Sequence, residues 1–123
     1  PEASMEKLED VLEVGLRAVE IAKNNGVKIG HGSDLLGKCQ IYQSDEFILK
    51  AEVLGNYEAI RQATEVNAEI LNMPDQLGVI KSGAFADIVI IEGNPISDIS
   101  LLTNQGQYMP AIMKNGIFYK NTL

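Results

Sequence analysis

Between Ser4 and about Asn24 the apolar residues Met5, Leu8, Leu12, Leu16 and Val19 recur at spacings of three and four, flanked by Val11, Val14, Ala18 and Ile21. Glu6, Asp10, Glu13, Arg17 and Glu20 form the opposite stripe, so the pattern predicts an amphipathic helix with one broad buried face and one wet face. Ser4 is placed to cap its start. Asn24, Asn25 and Gly26 are placed to stop it, because glycine adopts the left-handed conformation that ends helices. Val27-Lys28-Ile29-Gly30-His31 then predicts a short strand, reached through a turn of two or three residues, and that helix-to-strand wiring favours a parallel sheet.

A loop follows through Ser33-Asp34 to Ser44-Asp45, loosened by Gly30, Gly32 and Gly37. A second helix is predicted over Glu46 to Leu54 behind a Ser or Asp cap. Gly55-Asn56 breaks it, and Asn56 is placed to cap a third helix that carries Tyr57, Ile60, Ala63, Thr64, Asn67 and Leu71 on one side. Pro74 ends that helix. Beyond it glycines and prolines punctuate short β-prone runs at Gly78-Val79-Ile80, Ile88 to Ile91, Ala111-Ile112-Met113 and Ile117-Phe118-Tyr119, with Asp98 to Leu102 as a helical turn. The pattern therefore changes near residue 75, and there is no internal repeat.

Composition narrows the function. With 123 residues, 46% apolar and 22% charged, the chain is long enough for one soluble globular domain. A net charge of −7, with acidic residues concentrated between Glu2 and Glu20 and no basic cluster, argues against a nucleic-acid partner. Apolar runs such as Ile88 to Ile91 fall far short of the ~20 residues of a membrane span, so no membrane partner is expected. No signal-peptide pattern opens the chain, which favours the cytoplasm. Because the sequence starts at Pro1, a secreted or periplasmic location stays open. One Cys and one His cannot supply the three or four ligands of a zinc site.

The sharpest local feature is Gly30-His31-Gly32-Ser33-Asp34 at the end of the predicted strand. In barrels of alternating strands and helices, side chains at the C-terminal ends of strands face the active site. Strand alternation places Lys28, Gly30, Gly32 and Asp34 on one face, and Ile29, His31 and Ser33 on the other. His31 then points away from Asp34 and reads as a packing or hydrogen-bonded residue. Alone, Gly-Ser-Asp is an ordinary turn or helix cap.

Four downstream segments stand in order: Ala63 to Leu71, Leu77 to Ile90, Gly93-Asn94-Pro95-Ile96-Ser97-Asp98-Ile99, and Met113-Lys114-Asn115-Gly116. Together they resemble the C-terminal region of the amidohydrolase superfamily, over about residues 26 to 120. The resemblance implies an α/β fold: the last helix-strand-helix part of a metal-dependent (β/α)₈ barrel within residues 1–75, then strands of a small β-sandwich over residues 76–123. It implies one or two divalent metals, zinc being the expected ion. Asp34 would be a ligand of the more buried metal, and would take a proton from the water that attacks an amide carbonyl. Leu35, Leu36 and Gly37 would line the pocket of a small-molecule or peptide substrate.

The family's other metal ligands have no counterpart here, and a full barrel needs about 250 residues. The chain is thus expected to be incomplete, inactive alone, and partnered by the rest of the barrel. Among subgroups the resemblance is to Xaa-Pro dipeptidase and carboxypeptidase-like members, with an imidazolonepropionase-like cyclic-amide hydrolase as the alternative. A non-catalytic dimerisation or interaction module, with a homo-oligomer held by exposed apolar faces, is the reading from a different class. Cys39 reads as a loop thiol, Glu46 as a helix cap or substrate contact, and Asp87 and Asp98 as turn formers.

Overall fold

The computed structural model describes residues 14–123. The predicted cap at Ser4 and the first turns of the helix, with Met5, Glu6, Leu8, Asp10, Val11, Leu12 and Glu13, lie outside the described residues. Helix α1 covers residues 14–24 and stops as its sequence demands. Gly26 takes a φ of 67°, its amide donates to Lys23 O, and the Val27 amide donates to Ala22 O at 3.0 Å. These are the two bonds of a Schellman motif, which satisfy carbonyls that the helix end would otherwise leave bare. Its apolar residues Val14 and Ile21 are exposed among the described residues.

The segment after α1 departs from expectation. Val27 to His31 belongs to no strand, and residues 27–36 pair with no strand among the described residues. A parallel strand draws its ladder from neighbours on either side, and none stands beside it here. Three-ten turns over Gly37–Asp45, where a plain loop was expected, run directly into α2, Glu46–Leu54. Because that entry is already helical in backbone, Asp45 makes no side-chain cap. Gly55, at φ 84°, breaks the chain into α3, Asn56–Arg61. Asn56 does not cap α3; its side-chain amide donates instead to Ile96 O at 3.0 Å.

A π turn over Gln62–Val66 links α3 to α4, Asn67–Ile70. This helical stretch is covered on two sides. Ala59, Gln62, Val66 and Ala68 are buried, whereas Ile60, Ala63, Thr64 and Asn67 are half-buried and Tyr57 and Leu71 are exposed. The single expected face is therefore widened and rotated. Gly78 follows from the same packing: a Cβ there would lie 2.5 Å from the Thr64 carbonyl carbon and oxygen, at a φ of 72°. That left-handed backbone interrupts the strand expected at Gly78-Val79-Ile80, which forms none.

The rest is a three-stranded antiparallel sheet in the order β1 (Ile88–Ile90), β2 (Ala111–Lys114), β3 (Ile117–Asn121). Asn115 and Gly116, at φ 49° and 79°, make the two-residue turn between β2 and β3, the backbone that Asn-Gly favours in hairpins. Asp87 and Asp98 are the turn formers expected. Asp87 accepts the Asn115 amide at 2.6 Å, and Asp98 accepts the Ser100 amide at 3.0 Å to start the three-ten turn Ile99–Leu102.

Among the described residues the buried apolar side chains are few and mostly small: Ala59, Val66, Ala68, Ile99, Leu102 and Ala111. Many large apolar side chains are open, Ile80 at 87% and Leu36 at 77% among them. A cavity of about 450 Å³ lies between helices and sheet, lined by Phe47, Ile60, Ala63, Val79, Ile88 and Leu102 among others. Among the described residues no helix is long and apolar enough to cross a membrane.

Candidate functional site

With no strand beside it, the segment that leads to Asp34 is held by side chains from the helices. Lys28 pairs with Glu69 of α4 at 2.7 Å, and that hydrogen bond holds the Glu69 carboxyl below its ordinary pKa. The Gly30 carbonyl accepts from Lys50 Nζ. The His31 amide donates to Asn67 Oδ1 at 2.9 Å, and Asn67 Nδ2 donates to His31 O at 2.8 Å. The Gly32 amide donates to Glu46 Oε1 at 3.2 Å, and the same oxygen lies 3.0 Å from Lys50 Nζ.

Glu46 and Lys50 stand one helical turn apart on α2, so their side chains meet on one face. Their side chains are only 16% and 9% exposed. Glu46 was expected as a helix cap or a substrate contact. It sits in the first turn of α2, but its carboxylate turns to Gly32 and Lys50 rather than to the helix amides. Its other oxygen is buried and has no hydrogen-bond partner among the described residues.

The His31 ring stacks on Phe47, with centroids 4.1 Å apart and planes tilted by 33°. It is a packed residue through that contact with Phe47; the strand alternation from which its packing was expected is absent, because residues 27–31 form no strand. Burial lowers its pKa below the ordinary imidazole value, with Glu46 pulling the other way and Lys50 adding to the fall. Among the described residues its Nδ1 has no hydrogen-bond partner.

Asp34 is exposed and takes a φ of 52°, the left-handed region that costs a non-glycine residue energy. Leu35 and Leu36 are also exposed, at 36% and 77%, and Gly37 at φ 57° opens the three-ten turns. The four residues are brought together by sequence on one open stretch. Cys39 is exposed nearby in sequence. Among the described residues no three His, Cys, Asp or Glu side chains cluster as a metal site. An exposed carboxylate held off the regular backbone fits a metal as one ligand of several.

The missed residues are Lys50 and Asn67. The spacing of Glu46 and Lys50 was legible as an i, i+4 pair, but nothing local marks it as buried.

A sequence model of the amidohydrolase family matches residues 3–116. The chain belongs to the amidohydrolase family. No curated protein is matched. Among solved structures it is similar to a prolidase complexed with N-methylphosphonate-L-proline, at 47% identity and a TM-score of 0.88, over 98% of this chain and 30% of that one. A structure described as an amidohydrolase matches at the same identity and TM-score, over 98% of this chain and 29% of its own. A Xaa-Pro dipeptidase with methionine bound in its active site matches at 34% identity and a TM-score of 0.75, over 86% and 25%. This amidohydrolase chain thus spans about 30% of the length of the prolidase and the amidohydrolase just described. It is a partial α/β unit, in which helices and a three-stranded sheet lack the remaining elements of the fold.

Proposed function

We propose that this segment supplies Asp34 to the active site of a metal-dependent hydrolase that cleaves peptide-like amide bonds, with Xaa-Pro dipeptides as the substrate class. The observation that carries the reading is the 47% identity, over nearly the whole chain, to a prolidase holding a proline phosphonate. A tetrahedral phosphorus on the proline nitrogen has the shape of the adduct formed when water attacks an Xaa-Pro carbonyl, and enzymes bind that shape more tightly than the planar amide.

The division of labour follows. Residues 1–75 belong to the barrel and residues 76–123 to the sandwich domain, which gives the exposed apolar faces of α1 and the sheet their cover. Asp34 would be one of the residues that hold the metal, expected to be zinc. When bound, that ion lowers the pKa of water toward 7 and polarises a carbonyl. The Asp34 carboxylate takes the proton of the attacking water and passes it to the departing nitrogen. Leu35, Leu36 and Gly37 face the substrate beside it. Since this chain contributes one carboxylate, it does not hydrolyse amides alone.

The full-length enzyme reconstituted with zinc should cleave Xaa-Pro dipeptides in preference to a ring amide such as imidazolonepropionate, and chelation should abolish the activity. Preference for the ring amide would transfer the assignment to cyclic-amide hydrolysis. Activity that survives chelation would contradict the metal-dependent reading.

A further inference from the structure

We propose that Asn67 is a positioning residue for Asp34. The inference rests on the assignment of Asp34 to the active site. It goes beyond that assignment in naming what fixes the carboxylate's direction.

One side-chain amide engages both backbone polar groups of His31: Asn67 Nδ2 donates to His31 O, and Asn67 Oδ1 accepts the His31 amide. An Asn side chain has the donor and acceptor of a peptide group, so Asn67 acts as one peptide unit of a neighbouring strand, delivered from a helix. On that edge no ladder can extend through His31. Asp34 lies only three positions beyond His31, a reach of roughly 10 Å at most. The orientation of the His31 peptide therefore limits where the Asp34 carboxylate can go.

Two further observations point to a built contact. Gly30 is without a Cβ where one would stand 2.8 Å from Asn67 Oδ1 and 2.9 Å from Ile70 Cδ1, so glycine at 30 lets Asn67 reach the backbone. The π turn Gln62–Val66 ends at the residue before Asn67. One extra residue in a helix turns all later positions by about 100°, and such turns recur at functional sites. Asn67 faces His31 because the turn precedes it.

Asp at this position would keep an acceptor for the His31 amide but set a carboxylate oxygen against the His31 carbonyl. Ala would leave both groups without a partner. The test uses the full-length enzyme with Asn67→Asp, Asn67→Ala and, as a stability control in the same helical stretch, Val66→Ala. Asn67→Asp keeps helix and acceptor and remains informative if Asn67→Ala fails to fold.

Both Asn67 variants should lower kcat by about 10–100-fold and weaken zinc retention comparably, the range seen when a supporting partner of a metal ligand is lost. KM should change little, and hydrogen exchange at the His31 amide should quicken. Val66→Ala should lower Tm without those effects. Faster exchange at His31 with wild-type kcat and zinc retention would overturn the inference, as would a kcat loss shared by Val66→Ala. An active Asp34→Asn variant would instead remove the assignment beneath it.

Discussion

Asp34→Asn in the full-length enzyme is expected to lower kcat/KM for Xaa-Pro hydrolysis by about a thousandfold or more, with little change in Tm. A proton acceptor placed at the reacting atoms contributes about 10²–10⁴-fold, and the amide has neither the charge nor the basicity of the carboxylate it replaces. Its shape is nearly the same. Asp34 is exposed at a left-handed position where Asn is also well tolerated, so packing and backbone are spared. Steady-state kinetics at saturating zinc, paired with a thermal melt, measures both parts. A variant that keeps a tenth of wild-type activity would place the proton transfer elsewhere.

The second large effect is on stability. Lys50→Met should lower the urea midpoint by the equivalent of about 3 kcal/mol, at the low end of the cost of leaving one member of a buried pair without its partner. Lys50 is the more buried of the two, and its Nζ also serves the Gly30 carbonyl. With the methionine in place, Glu46 keeps, among the described residues, only the Gly32 amide, and its second oxygen has no partner there. Glu46→Leu combined with Lys50→Met should recover part of the loss, because it removes the uncompensated charge. The recovery should be incomplete, since the Gly30 carbonyl and Gly32 amide both lose their partners. A single variant within about 0.5 kcal/mol of wild type would show that water reaches the pair and screens it.

These effects centre on contacts that local sequence does not announce. The stop of α1 at Asn25-Gly26, the bounds of α2 and the strands near Ile88, Ala111 and Ile117 were readable, because helix caps, turn glycines and β-branched runs act over a few residues. Asp98 was readable for the same reason. The strand expected at Val27 to His31 did not form, since its ladder depends on neighbours that no local pattern describes. Gly78 stands in a β-prone run, but the Thr64 backbone packed against it is a contact from outside that run. Among the site residues, Asp34 stood out through its motif and the resemblance behind it, whereas its own triplet would suit any turn. Glu46, Lys50 and Asn67 reach Gly32, Gly30 and His31 across 14, 20 and 36 residues of sequence. Only the fold brings them together.

Anomalous diffraction at the zinc edge on crystals of the zinc-loaded full-length enzyme tests the central claim most directly. The account predicts a peak with an Asp34 carboxylate oxygen about 2.0–2.2 Å away, the distance of a carboxylate bound to zinc. A zinc peak whose ligands are all other residues, with Asp34 turned to solvent, would contradict it.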